Sequence, residues 1–155
     1  MRRQLRSAYL DELAGVPLFA GLARRELQRV AAVADVADFD PGAEVVREGT
    51  TGHELYVVVR GSASVVERGR PAAMLAVGDS FGETGVFAGA RHPATVVAAE
   101  PLRLAVLGRR GVFGLVQAVP QLAPHLLRDL AARLSTSASL RRADAAGLAA
   151  PPSPR

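Results

Sequence analysis

Apolar and polar positions change rhythm twice along this chain. From residue 4 to 14, Leu5, Ala8, Tyr9 and Leu13 recur near helical spacing, which predicts a helix stopped by Gly15 and Pro17. "VPLFAGL" is a compact apolar turn. "ARRELQRVAAVAD" predicts a second helix, with Leu27, Val30, Ala31 and Ala34 on one side and Arg24, Arg25 and Gln28 on the other. Past the Pro41-Gly42 turn the helical rhythm ends. "AEVVRE", "HELYVVVRG", "SASVVERG", "PAAMLAVGD", "ATVVAAE" and "LRLAVLG" are short valine-rich segments, most of them separated by Gly or Pro. Such spacing predicts the strands of a sandwich, barrel or jelly roll. Its expected core is Val57, Val59, Val65, Leu75, Val77, Val96, Leu104 and Val106, with corners at Gly42, Gly49, Gly52, Gly61, Gly69 and Gly78.

Helical rhythm returns at "RRGVFGLVQAV", stops before Pro120, and resumes at "QLAPHLLRDLAARLSTSASLRRA". There Leu126, Leu127, Leu130, Leu134 and Ser137 form a stripe at three- and four-residue spacing, wider than a small β core needs. The end, "AAGLAAPPSPR", has no periodicity and reads as disordered.

Composition narrows the chemistry. The 155 residues suit one domain, and 49% are hydrophobic. Without cysteine there is no disulfide framework, thiolate metal site or cysteine nucleophile. No apolar run approaches the roughly 18 residues of a membrane span. "MRRQLRSAYLDELAG" breaks into charge before a signal-like apolar core forms. These features predict a soluble, cytoplasmic protein. The net charge of +4 comes from arginine alone, since lysine is absent, and the excess sits at the two ends. A solvated terminus accounts for it; a nucleic-acid or membrane tether is the alternative.

Catalytic motifs fail on context. "GDSFG" (Gly78–Gly82) matches G-x-S-x-G, but the nucleophile elbow needs a long helix next and βαβ units around it, so Ser80 reads as a strand-end residue. Absence of lysine excludes a Walker A loop. His53, His92 and His125 have no ligand-like neighbours. The expectation is that the chain is not an enzyme. One stretch remains, "DSFGETGVFAGARHPATVV" (Asp79–Val97). Gly82-Glu83 leading into a short helical turn presents backbone N–H groups to an anion, and Arg91 or His92 supplies charge. A tight hairpin with a solvated Arg-His pair explains the same residues.

Over residues 13–140 the sequence resembles the cyclic nucleotide-binding domain, the family of catabolite activator proteins, kinase regulatory subunits and cyclic-nucleotide-gated channels. "VPLFAGLARREL" resembles its entry helix-turn, "FDPGAEVVREGTTGHELYVVVRGSASVV" its first strands, and "LAVGDSFGE" the lead into its phosphate-binding cassette. The resemblance implies a mainly β fold, a jelly roll (double-stranded β-helix type) with N-terminal helices and two C-terminal helices. Residues 1–12 are then a helical extension and residues 141–155 a tail. It implies that Glu83 holds the ribose 2′-hydroxyl and that backbone N–H groups near Gly82, Thr84 and Gly85 help hold the cyclic phosphate. It places Arg91, His92, Ala94 and Thr95 along the rest of the cassette, with Ser137 on the last helix, which closes over the base.

The cassette arginine is where this sequence departs. In the family's R-x-A-T-V run the arginine stands three residues before the threonine, which here is His92; Arg91 is one residue early. The next position, often a backbone donor, is Pro93, which has no N–H. Three readings stay open. Arg91 slips inward through a bulge; His92 binds phosphate, mainly when protonated; or the pocket has lost the nucleotide and the fold serves as a nucleotide-independent dimerisation or docking module. Threonine at the Pro93 position helps some relatives prefer cGMP, so any binding here should favour cAMP. The expected role is a regulatory or sensor domain. Its expected partners are a cyclic nucleotide, a second copy through the C-terminal helix and an unidentified protein, with no direct DNA reading and no membrane span.

Overall fold

Leu10 and Leu13, one helical turn apart, go under the helix α1 (Arg2–Ala14), and Val16 follows them into the core. Ala8, expected on that face, is exposed. A 3-10 turn (Pro17–Phe19) buries Leu18 and Phe19 and leads to α2 (Arg24–Val33), which buries Leu27 and Val30. The Glu26 carboxylate accepts the Ala23 N–H at 2.9 Å and so caps α2. The computed structural model describes residues 2–132, with side chains from residue 6 onward.

Eight strands follow: β1 (Asp35–Phe39), β2 (Glu44–Val46), β3 (Glu54–Arg60), β4 (Ala63–Glu67), β5 (Arg70–Leu75), β6 (Ser80–Phe81), β7 (Thr95–Ala98) and β8 (Leu102–Gly108). They form two antiparallel four-stranded sheets, β1-β8-β3-β6 and β2-β7-β4-β5. The expected mainly β jelly-roll class with flanking helices is what the structure has. Between the sheets Val46, Ala63 and Val96 of one meet Val58, Phe81 and Leu104 of the other. Of the expected core, Val57, Val59, Leu75, Val96 and Leu104 are buried, and Val65 and Val106 pack partly buried against it. Val77 is a correction. It is exposed because β5 ends at Leu75, and the following turn is held by the Asp79 carboxylate accepting the Ala76 N–H at 2.8 Å. The strand expected over 71–79 is therefore shorter, and Asp79 belongs to a turn that feeds β6.

Between β6 and β7 lies a six-residue helix, α3 (Glu83–Ala88), and after β8 comes α4 (Arg109–Ala118). Phe87 of α3 meets Phe113 of α4 edge-on, 5.9 Å between ring centroids. The chain divides into two compact units, Met1–Leu122 and Ala123–Arg155. In the second, residues 123–132 are helical. Leu134, Ser137 and the tail expected over 141–155 lie outside the described residues.

Charges tie α1 to the first sheet. The β1–β8 register sets Asp38 opposite Arg103, and the pair is bidentate at 2.7 and 3.1 Å. Arg103 also donates to Glu12 of α1 at 3.2 Å, and Glu12 pairs with Arg60 of β3. Arg103 holds the Asp38 carboxyl below its ordinary range, mainly through their hydrogen bond. That contribution is present above the ordinary carboxylate pKa and fades as pH falls through the lowered value. Glu12 is the half of this network most removed from water, its side chain 19% exposed against 59% for Arg60. Replacing Glu12→Gln removes the anion from between two guanidinium groups. It should cost about 1–3 kcal/mol in urea denaturation, whereas Arg47→Gln, whose pair with Glu44 is exposed, should leave stability nearly unchanged.

Candidate functional site

The segment that carries the candidate chemistry begins where β6 must turn sharply into α3. Gly82 makes that turn at φ 87, the left-handed region that glycine enters without strain. A side chain there would also collide with the Glu54 carbonyl of β3. Gly85 is equally confined: a Cβ would meet the Gly52 carbonyl. Glu83 stands in the first turn of α3, half-buried, and Thr84 is half-buried beside it. The amide of Gly85 donates to Gly82 O at 3.2 Å, and Thr84 O accepts the Ala90 N–H at 3.1 Å, which folds the chain back toward residue 91.

Arg91 and His92 then part company. Thr51 and Arg91 form an isolated antiparallel bridge, and the Arg91 guanidinium turns outward to donate to Gly49 O at 2.9 Å. His92 is 6% exposed. Its N–H donates to Thr50 O and its carbonyl accepts from Gly49 N, both at 2.9 Å. Its imidazole fills the space above Gly52, where any Cβ would collide with the ring. Pro93 is exposed, and Ala94 is half-buried. The Thr95 hydroxyl accepts the Glu48 N–H at 3.0 Å and so pins β7 to the end of β2.

An open cleft of about 540 Å³ lies against this segment, within the size range of small-ligand pockets. His92 lines it together with Arg47, Gly52, His53, Glu54 and Tyr56. None of Gly82, Glu83, Thr84, Gly85, Arg91, Ala94 or Thr95 lines it. Tyr56 stacks on Phe81 at 4.8 Å and donates its hydroxyl to Glu54 at 2.9 Å. Burial, reinforced by the Glu54 carboxylate, pushes the Tyr56 phenol up to about 12. Among the described residues no group of three or more His, Cys, Asp or Glu side chains is placed to hold a metal ion.

Residues 36–118 match the cyclic nucleotide-binding domain family, more than half of the chain. The chain belongs to that family. The cAMP-dependent protein kinase regulatory subunit of Yarrowia lipolytica is 34% identical over 110 residues, which cover 70% of this chain and 29% of that protein. The catabolite activator protein of Thermus thermophilus superposes with a TM-score of 0.72 at 29% identity, covering 84% of this chain and 63% of that one. The regulatory subunit of a cAMP-independent protein kinase A from Trypanosoma brucei superposes with a TM-score of 0.68 at 27% identity, covering 81% of this chain and 45% of that one. The chain spans less than a third of the length of the curated relatives it matches.

The residues expected to form the cassette, Gly82 to Thr95, run from the β6–α3 turn through α3 to the start of β7. Ser137 falls outside the described residues. The residues that sequence reasoning missed are Gly52 and its neighbours His53, Glu54 and Tyr56. No spacing in "TTGHELY" announces them, because Gly52 reaches the cassette only through folding of the β2–β3 loop. No described helix is long and apolar enough to cross a membrane.

Two outcomes test this geometry. Gly52→Ala must displace the His92 ring, so overpacking should cost about 1–3 kcal/mol in denaturant unfolding; Gly52→Ala in a His92→Ala background should cost clearly less. The chain has two tyrosines, and burial raises both Tyr9 and Tyr56. Phenolate absorbance should therefore stay low at pH 10, with Tyr56 ionising near 12. Folding favours the neutral phenol, so this stability is complete below about pH 10. It is lost as pH rises through the raised values. Half-ionisation at pH 10 in the folded protein would contradict the packing of Tyr56.

Proposed function

We propose that this chain is a cyclic nucleotide-binding regulatory domain that favours cAMP over cGMP. In this reading Glu83 accepts the ribose 2′-hydroxyl, the backbone around Gly82–Gly85 faces the cyclic phosphate, and His92 is the cationic contact in place of an arginine. The observation that carries it is the opposite fate of two neighbours. Arg91 is exposed and spends its guanidinium on Gly49 O, while His92 is buried at the family's arginine position. An imidazole carries charge only when protonated, unlike a guanidinium. Pro93 offers neither N–H nor hydroxyl, which is the basis for preferring cAMP. Absence of the hydroxyl removes a favourable cGMP contact.

The signal then passes to a partner, either a second copy through the helix containing Leu126, Leu127 and Leu130 or another protein. Leu130→Asp should dissociate the dimer in sedimentation by burying an unpaired charge, and a wild type that sediments as a monomer at high concentration ends the dimer proposal. A second reading keeps the fold and drops the ligand: with His92 packed on Gly52 and followed by proline, the chain would serve as a nucleotide-independent dimerisation or docking module.

Calorimetric titration with cAMP and cGMP separates the two. The first reading expects weak cAMP binding, which His92→Ala should weaken further. Glu83→Ala should weaken binding by about 1–3 kcal/mol. His92→Arg combined with Pro93→Ser should tighten it about 10- to 150-fold, the worth of one regained hydrogen bond to a charged group. Heat from neither nucleotide, in wild type or in that double variant, would leave the docking module standing.

A further inference from the structure

We propose that the groove between α1 and α2 docks an acidic peptide segment of a protein partner. It is separate from the cassette and from the cleft beside it. The groove has a volume of about 520 Å³ and is lined by Arg6, Ser7 and Leu10 of α1 and by Arg24, Gln28 and Ala31 of α2. Residues 6, 7 and 10 share one stripe of α1, and residues 24, 28 and 31 share one stripe of α2. Each helix thus presents one guanidinium and one neutral polar side chain to the same concave surface. Leu10, 6% exposed, gives it an apolar floor.

Charge complementarity fixes the occupant. Among the described residues no acid lines the groove. Neither Arg6 nor Arg24 has an ion pair or side-chain hydrogen bond among the described residues, although acids are close in sequence. Of those acids, Glu12 pairs with Arg60 and Arg103, Glu26 caps the Ala23 amide, and Asp11 does not line the groove. Two unpaired guanidinium groups on neighbouring helices favour two carboxylates, each of which an Arg can grip bidentately. A peptide supplies carboxylates at variable spacing, and its stems can rest on Leu10 and Ala31. Nucleic acid fits less well. Among the described residues no aromatic side chain lines the groove to stack on a base. A duplex held by its phosphates presents a long convex row of charges rather than a filling for a groove between two helices.

The test is fluorescence polarisation of a fluorescein-labelled peptide of alternating Glu and Ser titrated with the full chain. It is run at about 0.15 M salt, where charges more than about 8 Å apart are screened. Saturable binding is expected, with Arg6→Gln and Arg24→Gln each weakening it about 2- to 5-fold, as for partly exposed ion pairs. Arg70→Gln, on the edge strand β5, removes the same charge elsewhere and should leave affinity unchanged. Circular dichroism of all three variants should match the wild type, because each of these arginines is exposed. Equal weakening by Arg70→Gln would reduce the effect to net charge and overturn the proposal. So would absence of binding, tighter binding of a labelled DNA duplex than of the peptide, or displacement by inorganic phosphate beyond that by sodium chloride of equal ionic strength. A peptide of alternating Gln and Ser should not bind.

Discussion

Two backbone hydrogen bonds hold the candidate site together. His92 donates to Thr50 O and accepts from Gly49 N, which welds the end of the cassette to the loop between β2 and β3. The same loop brings Gly52 so close that the His92 ring fills the volume its missing side chain leaves free, while the Gly52 carbonyl fills the volume left free at Gly85. From that contact the rest of the site follows. Residue 91 must point away, because residue 92 points in and successive side chains alternate along extended backbone. Arg91 therefore reaches solvent and Gly49 O. The helix α3 cannot shift toward the loop without Gly85 meeting Gly52 O, so the Gly82 turn and Glu83 are held in place from the other side.

Much of the fold was legible because burial imposes period two on strands packed on one face and period 3.6 on helices. The valine-rich segments became β2, β3, β4, β5, β7 and β8, and α1, α2 and α4 lie where the apolar stripes put them. What was missed has physical causes. The strand β1 reads Asp-Val-Ala-Asp-Phe, with Asp35 and Val36 exposed, so no apolar face announces it; its place is set by pairing with β8 and by Arg103 gripping Asp38. The strand β6 is two residues long, below any period. Val77 kept the alternation of a strand that had already ended, because the Asp79 cap on Ala76 converts the sequence into a turn.

The site was legible in one dimension and not in three. Counting along the cassette singled out His92 rather than Arg91, and the chain buries His92 and exposes Arg91. Nothing in the count could say what His92 would pack against. Its neighbour Gly52 lies forty residues earlier, in a loop whose glycine read as one more corner. Glu54 and Tyr56 likewise had the look of ordinary strand residues. Stacking on Phe81, which raises the Tyr56 phenol through burial, appears only once β3 and β6 are paired.

The exchange of arginine for histidine changes what kind of site this can be. A buried guanidinium carries its charge at every physiological pH and must be compensated in the empty protein, at a desolvation cost. A histidine ring brings no permanent charge, and here it fills the space beside Gly52. Its short ring also fits a space closed on one side by the loop, which a longer side chain would have to leave or force open. Histidine at this position therefore packs on the loop glycine without bringing a permanent charge into the interior. Proline at the next position is exposed and has no backbone N–H to satisfy. Both residues are accommodated without disturbing the packing that defines the fold, so the jelly roll persists with a buried His92 and an exposed Pro93 side by side.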